Sequence, residues 1–400
     1  MNGLATSGPV RRLERVLMLL PSAGIGGAEV HSAWLAQGLA AAGVLVRLAV
    51  GPAVRDRFAG LLGPGLASAL QAAPVGWDGG ARLAANLARQ SAAAAALLAE
   101  WRPDAVVLPL PWPTHGLGLQ QALAAAAVPV LAVAHLAPHA FTAEELAAAR
   151  AARLGPTRWT AVSEAVAARL AQCFGLPAGT VATVPNGVAV PPWEPARQTA
   201  ARAAKRVSLG LRGQARLVVF AGRLEPNKGA DLLPGIAELL PGIAELLHGR
   251  TGAVLAALGE GPLRPGLAQH PAAGGDPARA MLRLPGHAAD VAEWLLAADA
   301  LLLPSRLEGC PLVFLEAAAH RCPVVATGAA LEALGDAASG LAAVAPEASV
   351  ASLADRAEAC LTEPPATAAR VAAAWRHVAA HDRAAMLRRY AALLRAMPAG

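Results

Sequence analysis

Short apolar runs alternate with helix-like segments along most of the chain, and few folds accept such a pattern. In the first half, an apolar run at residues 15–20 ends in a break at 21–27, a helix-like segment covers 28–42, and a second run follows at 44–50. Further runs of this half lie at residues 105–108, 128–133 and 159–162. Runs that are apolar throughout, with helices between them, are typical of a parallel sheet whose two faces are both covered.

A second set of alternating segments begins at Leu217, after a break. The break comprises the proline-rich residues 191–195 and a polar, arginine-rich stretch that ends at Arg216. Strand-like runs then lie at residues 217–221, 253–258, 281–284, 300–303 and 324–327. The pattern predicts an α/β protein with two Rossmann-like domains, residues 1–195 and 196–375, that face each other across a cleft. Ligands of such folds bind at the carboxyl ends of the strands.

Charge and cysteine content exclude several classes of function. The net charge of +6 is spread along the chain without a dense basic run, which disfavours nucleic acid as a partner. The four cysteines show no zinc spacing and indicate reduced thiols of a cytoplasmic protein. Residues 1–15 lack the apolar core of a signal peptide, and no stretch is long and apolar enough to span a membrane. A weak peripheral contact with the inner face of a membrane stays open, and the oligomeric state is not predicted.

Lysine is almost absent from the chain, which makes the position of Lys228 informative. Of 34 basic residues only Lys205 and Lys228 are lysines. Lys228 follows the apolar run 217–220 and shares a glycine-broken turn with Arg223. A lysine offers phosphate a compact charge and an arginine offers it a planar fork, so this turn suits a phosphate group. The alternative is a solvated loop with two ordinary charges.

A second motif follows the apolar run 300–303 and places two carboxylates eight residues apart. Glu308 lies in a loop after the run, Pro311 fits the first position of a helix, and Glu316 lies deeper on that helix. The free backbone N–H groups at the start of this helix form an anion site. These groups belong to Gly309, Cys310 and Leu312, while Pro311 lies among them and has no N–H. The alternative is a capping glutamate followed by a solvated one.

These motifs resemble those of the family 4 glycosyltransferases, which are retaining enzymes of the GT-B fold. The resemblance runs from about residue 16 to about residue 361. Its pieces, in order, are residues 26–29, 162–164, 184–188, 222–223 with 228–229, 259–262, and the pair Glu308 and Glu316. It implies transfer of a sugar from a nucleotide-diphosphate donor to a glycan, lipid-linked or small-molecule acceptor. It also implies that the helix-like segment within residues 376–400 packs back on the first domain.

The resemblance assigns most of the donor site to the second domain. Arg223 and Lys228 would hold the diphosphate and stabilise the charge of the leaving group. Glu308 would contact the transferring sugar, and Glu316 would accept hydrogen bonds from the ribose. Backbone groups at Leu284 and Gly286 would meet the base. Cys310 stands where the family usually carries an aromatic residue, so the donor sugar is not predicted.

In the first domain the resemblance points to two positions. Gly26 and Gly27 open a helix, where the absence of side chains lets backbone approach the phosphates or the acceptor. His135 follows the strand-like run 128–133 and matches the active-site histidine that borders the transferring sugar. His139 is a nearby competitor, and a lone histidine at a strand end is often structural. No cluster of aromatic residues marks an acceptor site.

The sequence predicts neither a metal nor a cofactor, because no Asp-x-Asp motif is present and the nucleotide-diphosphate sugar is a substrate. Two alternatives stay open: a sugar-nucleotide epimerase of the same shape, and a non-catalytic partner in glycan assembly. A nicotinamide-binding protein is disfavoured, since residues 24–27 do not form GxGxxG.

A seven-residue segment occurs twice in tandem, at residues 232–238 and 239–245. Seven residues are nearly two helical turns, so the repeat lengthens a helix without scrambling its apolar face. Pro241 falls inside that helix, where it removes a hydrogen bond and clashes with the preceding turn. We therefore expect a kink or a loop near residues 240–242.

Overall fold

The strands and helices form two α/β units of nearly equal size. The computed structural model describes residues 13–152, 155–211, 215–246, 253–274 and 280–398. One unit comprises residues up to Asn186 together with those from Ala384 onward, and the other comprises Gly187–Arg383. The predicted boundary at 195–196 lies within the second unit, where a helix begins at Pro195.

The first unit has a parallel sheet of seven strands within the described residues, in the order β3-β2-β1-β4-β5-β6-β7. The strands are β1 (Arg15–Leu20), β2 (Leu45–Val50), β3 (Leu70–Ala72), β4 (Ala105–Leu110), β5 (Val130–Ala134), β6 (Thr157–Ala161) and β7 (Ala182–Thr183). The helices are α1 (Gly27–Ala41), α2 (Arg55–Leu62), α3 (Pro64–Ala67), α4 (Leu83–Trp101), α5 (Leu117–Ala125), α6 (Ala143–Ala151) and α7 (Glu164–Phe174). Strands β1 and β4 are buried on both faces, as their continuous apolar sequence predicts.

The second unit has a parallel sheet of six described strands, in the order β10-β9-β8-β11-β12-β13. The strands are β8 (Arg216–Ala221), β9 (Ala253–Leu258), β10 (Leu282–Gly286), β11 (Ala300–Leu303), β12 (Val324–Thr327) and β13 (Ala343–Ala345). The helices are α8 (Pro195–Ser208), α9 (Leu233–Leu246), α10 (Arg264–Gln269), α11 (Val291–Ala297), α12 (Leu312–Ala319), α13 (Ala338–Leu341), α14 (Val350–Thr362) and α15 (Pro364–Ala380). Two Rossmann-like units are therefore present, and the predicted fold class is confirmed.

The last helix, α16 (Arg383–Arg395), completes the core of the first unit. Met386, Tyr390 and Leu394 recur every four residues, which places them on one face of the helix. All three are buried in the same apolar cluster as strands β1 and β2. The C-terminal segment is thus an integral part of the first unit's core.

From Leu233 onward the tandem repeat lies in one helix, so of the kink or loop expected near residues 240–242 the loop is absent. Helix α9 runs without interruption from Leu233 to Leu246. Leu233, Ile236, Ala237 and Leu240 are fully buried on one face of it. Helix α9 packs against β9 and α14. Burial of this face stabilises the helical course of the chain and offsets the bond that the proline removes.

Candidate active site

Close contacts between glycines hold together the carboxyl ends of β8, β9 and β10. The N–H of Gly222 donates to the carbonyl of Leu258 at 3.0 Å, and the N–H of Gly259 donates to that of Gly286 at 2.8 Å. Gly259 has a φ of +137°, and a Cβ there would lie 1.9 Å from the carbonyl oxygen of Gly222. Only glycine is compatible with this junction. It positions the loops that begin with Arg223 and Glu260.

Lys228 and Glu308 form an ion pair at the carboxyl edge of the second sheet. The Lys228 Nζ lies 2.7 Å from Oε1 of Glu308, and the Ser305 hydroxyl donates to the same oxygen at 2.8 Å. The Lys228 and Glu308 side chains are 22% and 11% exposed, so both charges are largely shielded from water. The neighbouring Gly229 has a φ of +69°, and a Cβ there would meet the carbonyl of Pro304 at 2.2 Å. Two motifs that are eighty residues apart in sequence are therefore in direct contact.

A second ion pair fixes the same two loops, and no sequence signal indicated it. The Arg306 guanidinium binds both carboxylate oxygens of Asp231, at 2.6 and 2.8 Å. This pairing holds the pKa of Asp231 below its usual range. The backbone N–H of Arg306 also donates to the carbonyl of Asn227 at 2.8 Å. A two-pronged pair has a defined geometry, so it fixes the loop of Lys228 relative to that of Glu308.

Arg223 lies at the same edge but has a different partner. Its guanidinium pairs with Glu225 at 2.7 Å, and its side chain is 48% exposed. An exposed pair of this kind contributes little to stability and is easily exchanged for another anion. Arg223 is therefore positioned on the loop after β8 with its charge accessible.

Helix α12 begins one residue later than the sequence indicated. Pro311 is the N-cap rather than the first helical residue, and the helix starts at Leu312. No side chain caps its first turn, so backbone N–H groups of that turn are available to an anion. The loop before it carries Gly309 and the buried Cys310. The helix start is thus shifted by one residue, and the anion site at it stays a prediction.

Glu316 lies in the second turn of α12, between the buried Leu315 and Ala317. Burial raises the pKa of its carboxyl group to about 7. Burial disfavours the ionised form of a carboxyl group, which is why its pKa rises. Carboxyl groups with such perturbed pKa values are common at functional sites.

The end of β10, which the resemblance assigns to the base, is held from the neighbouring loop. Arg264 donates to the carbonyl of Leu284 at 3.3 Å and pairs with Glu260 at 3.4 Å. The Glu260 carboxylate approaches Gly286, since a Cβ there would meet its Oε1 at 3.0 Å. Leu284 and Gly286 are therefore at the carboxyl edge, next to the glycine junction.

In the first unit, the turn at Gly26 and Gly27 is closed by a glutamate. The N–H of Gly26 donates to Oε2 of Glu29 at 2.7 Å, and the Ser22 hydroxyl donates to Oε1 of the same carboxylate. Gly26 is the N-cap and Gly27 the first residue of α1. The carboxylate thus caps the helix N-terminus at which the resemblance implies an approach to the phosphates or the acceptor.

His135 follows β5 and belongs to a row of buried rings. Its backbone N–H donates to the carbonyl of Leu110 at 2.9 Å, and its ring lies edge-on to that of His31, with centroids 4.7 Å apart. The His31 ring in turn meets Tyr390 of α16 at 5.2 Å. Burial lowers the pKa of His31 to about 3 and that of His135 well below its usual value. Both imidazoles are therefore uncharged at neutral pH.

The structure reveals an aromatic cluster that the sequence analysis did not find. The rings of Trp77 and His115 are stacked, with centroids 4.7 Å apart and planes 7° from parallel. Trp112 lies 6.2 Å from His115, and its indole N–H donates to Glu145 at 3.0 Å. The sequence analysis found no cluster of aromatic residues that marks an acceptor site, and it did not predict the contact of these rings. These residues come from three separate segments, and spacing alone gives no sign of their contact.

Two family models match the chain. The model described as Glycosyltransferase Family 4 matches residues 25–190, and that described as Glycosyl transferases group 1 matches residues 215–363. Together they include most of both units. The chain belongs to the family 4 glycosyltransferases. The resemblance identified from the sequence motifs is thereby confirmed.

Among relatives of this glycosyltransferase are proteins named D-inositol 3-phosphate glycosyltransferase. The one from Kineococcus radiotolerans is 33% identical over 176 residues, which are 42% of this chain and 39% of that protein. The one from Kribbella flavida is 32% identical over 220 residues, 52% of this chain and 49% of that protein. The chain thus spans half or less of the length of these relatives.

Solved structures share the fold of this family 4 glycosyltransferase at low sequence identity. Anabaena HepE in complex with UDP matches with a TM-score of 0.71 and 19% identity, covering 95% of this chain and 99% of that one. WaaG, a glycosyltransferase involved in lipopolysaccharide biosynthesis, matches with a TM-score of 0.70 and 21% identity, also over 95% and 99%.

Two searches of the described residues have negative outcomes. They contain no cluster of three or more histidine, cysteine, aspartate or glutamate side chains that could hold a metal ion. Within the same part of the chain, none of the helices combines the length and the apolar character needed to cross a membrane.

Proposed function

We propose that this chain is a retaining glycosyltransferase that moves a sugar from a nucleotide-diphosphate donor to a glycan, lipid-linked or small-molecule acceptor without a metal ion. The observation that supports it best is the contact of Lys228 with Glu308 at the carboxyl edge of the second sheet, beside the uncapped start of α12. A lysine, a carboxylate and a helix N-terminus at one strand edge match the needs of a diphosphate joined to a sugar.

In this proposal the donor displaces existing partners rather than entering a neutral pocket. Lys228 exchanges the carboxylate of Glu308 for the diphosphate, and Arg223 exchanges Glu225 for it. The released Glu308 then accepts hydrogen bonds from hydroxyls of the transferring sugar, and Glu316 accepts them from the ribose. Because both cations are already positioned, they stabilise the charge that develops on the leaving diphosphate without a large rearrangement.

The reaction that we propose is a same-face substitution. The bond between the anomeric carbon and the diphosphate oxygen breaks, the acceptor oxygen bonds to that carbon from the same side, and the leaving diphosphate takes the acceptor proton. His135 orients the sugar as a neutral group, which its lowered pKa supports. Retention of the donor's anomeric configuration is the consequence to test.

The names of similar proteins suggest which donor to try first. HepE was solved with UDP and with UDP-glucose, and the curated relatives are named for transfer to D-inositol 3-phosphate. A UDP-sugar is therefore the first candidate for this chain.

The experiment is a panel of sugar nucleotides incubated with the protein in EDTA-containing buffer, with release of nucleoside diphosphate as the readout. We expect release from one donor, enhanced by a sugar acceptor, and NMR of the first-formed product should show the donor's anomeric configuration. An inverted product would contradict the mechanism. Activity lost in EDTA and restored by a divalent metal would contradict the metal-free proposal. No release from any donor would contradict the function itself.

A further inference from the structure

The aromatic cluster of the first unit lies at the carboxyl ends of its strands. It comprises Trp77, Trp112, His115 and Glu145, and all four side chains are partly exposed. Trp112 and His115 follow β4, and the N–H of Trp77 donates to the carbonyl of Pro21, directly after β1, at 3.0 Å. Strands β1 and β4 are neighbours in the sheet. The cluster therefore occupies the edge at which Rossmann-like units bind their ligands.

Two buried amides of α4 hold these rings in place. The Gln90 side chain is fully buried and donates to the carbonyl of Val75 at 2.9 Å and to that of His115 at 2.7 Å. Asn86 is equally buried and accepts the N–H of Asp78 at 3.0 Å. One helix thus fixes the loop of Trp77 and the segment of His115 together. Rings held by buried hydrogen bonds lose little conformational entropy when a ligand stacks on them.

The charge of the cluster is negative. Oε2 of Glu145 accepts from the Thr142 N–H at 2.8 Å and from the Thr142 hydroxyl at 3.0 Å, while Oε1 accepts from Trp112. These hydrogen bonds lower the pKa of the Glu145 carboxyl group, and burial lowers the pKa of His115 to about 4. At neutral pH the cluster therefore presents an anionic carboxylate and an uncharged imidazole.

Arg89, which lies on the same helix as the two buried amides, is engaged with the loop of Trp77. Arg89 donates to the carbonyl of Gly76 at 2.8 Å, to that of Pro74 at 3.2 Å and to the Asn86 side chain at 2.6 Å. Its guanidinium supports the loop of Trp77 through these bonds. A phosphate placed on the rings would meet the carboxylate of Glu145, which repels it, whereas a hydroxyl would find an acceptor there.

We propose that Trp77, Trp112, His115 and Glu145 form an acceptor subsite that takes the ring of a neutral sugar, stacked on the aromatic faces with a hydroxyl donating to Glu145, in preference to a phosphorylated cyclitol. This assignment rests on the proposed function, because it names the acceptor class of the same reaction. It also separates this chain from relatives whose names specify an inositol phosphate acceptor.

The test measures binding without turnover. Saturation-transfer NMR would be recorded with methyl α-D-glucopyranoside and methyl α-D-mannopyranoside, and separately with D-myo-inositol 3-phosphate. We expect signal transfer to at least one glycoside and a weaker effect with the inositol phosphate. Trp77→Ala should reduce glycoside binding at least tenfold, and Trp112→Phe, which keeps a ring but loses the N–H to Glu145, should reduce it less.

Trp101→Ala is the matched control. Trp101 belongs to the same unit, but its ring lies against Arg15 and Arg47 near the start of β1. This variant should bind the glycosides like the wild type. Circular dichroism of each variant checks folding, and if Trp77→Ala does not fold, Trp77→Phe and Trp112→Phe carry the test.

The other outcomes distinguish failure of the subsite from failure of the proposed function. Tighter binding of D-myo-inositol 3-phosphate would contradict the assigned acceptor class. Glycoside binding unaffected by substitution at Trp77 and Trp112 would contradict the assigned place. Absence of glycoside binding would contradict the subsite while nucleoside diphosphate release from a donor still supported the proposed function. Glycoside binding with no release from any donor would leave the subsite standing and contradict the function.

Discussion

The two lysines of the chain are a natural comparison, since each pairs with a carboxylate. Lys228 contacts Glu308 at 2.7 Å at the carboxyl edge of the second sheet. Lys205 contacts Asp290 at 2.5 Å and lies 4.5 Å from the centre of the Trp294 ring, between helices α8 and α11. Both are lysine–carboxylate ion pairs, so the pairing itself does not distinguish a structural lysine from one that binds a ligand. The position of each lysine in the fold does.

Substitution of the two proposed phosphate-binding cations tests their role directly. We expect Lys228→Ala and Arg223→Ala each to weaken donor binding and transfer by about 1.5–3 kcal/mol, because each removes a charge-assisted contact to the diphosphate. Lys205→Ala is the control and should leave donor binding unchanged. Titration calorimetry and initial rates measure both effects. Unchanged donor affinity in Lys228→Ala and Arg223→Ala would remove the phosphate assignment.

The buried carboxyl group of Glu316 predicts a pH-dependent affinity. Its pKa is raised to about 7, so it is protonated below neutrality and anionic above. The anion is the better acceptor of ribose hydroxyls, so donor affinity should rise between pH 6 and pH 8. A nucleotide sugar is the appropriate probe, because its diphosphate carries no group that titrates near neutral pH.

Glu316→Gln should flatten that dependence, since the amide does not titrate in this range. Glu293→Gln is the matched control, because Glu293 lies on helix α11 and pairs with Arg197 of helix α8 rather than with a residue of the proposed site. It should show the wild-type rise. A Glu316→Gln variant whose donor affinity still rises with pH would show that another group is responsible.

At the scale of elements, sequence patterns located the central strands and missed the short ones. Strands β1, β4, β8, β9 and β11 were predicted because strands covered on both faces are apolar throughout. Strands β3, β7 and β13 have three, two and three residues and lie at the sheet edges, where such short segments carry no periodic signal.

In the candidate site, too, some residues were predicted from the sequence and others were missed. Lys228 and Glu308 were predicted because each follows a recognisable strand and parallel strand ends share one edge. The pair of Arg306 with Asp231 and the cluster around His115 were missed. Their partners are brought together by loop courses and by the strand order β3-β2-β1-β4, neither of which spacing encodes.

Because helix α9 contains the same segment twice, one copy can be deleted to test whether the helix needs both. Removal of residues 239–245 leaves one copy and shortens the helix by nearly two turns, so its apolar face is retained. In the sequence of the deletion variant, Leu246 and Leu247 take the positions that Leu239 and Leu240 have in the wild type. We expect cooperative thermal unfolding and transfer activity close to the wild type. Loss of cooperative unfolding would show that the second copy is required for the core.

At the scale of the whole molecule, buried histidines make stability sensitive to acid. The folded protein binds a proton at His31 only with a pKa of about 3, whereas the unfolded chain binds it near 6.5. The unfolded state therefore binds more protons below pH 6.5, and the free energy of unfolding falls as pH decreases. From this residue alone the loss between pH 7.5 and pH 5 is about 2 kcal/mol.

His31→Phe keeps a ring against Tyr390 and removes the titrating group. This variant should lose less stability than the wild type between pH 7.5 and pH 5. Urea unfolding at both pH values, followed by circular dichroism, measures the difference. The assignment is wrong if the variant and the wild type lose the same amount.

The return of α16 to the first unit has a consequence for protein synthesis. Tyr390 and Leu394 fill the first unit's core, yet the ribosome makes them only after the whole of the second unit. At about 5–20 residues per second, the nascent first unit waits for about ten seconds or more with that part of its core unfilled. Its apolar surface is then open to chaperones and to neighbouring nascent chains. The second unit comes from one continuous segment, so it can finish folding before the first unit does.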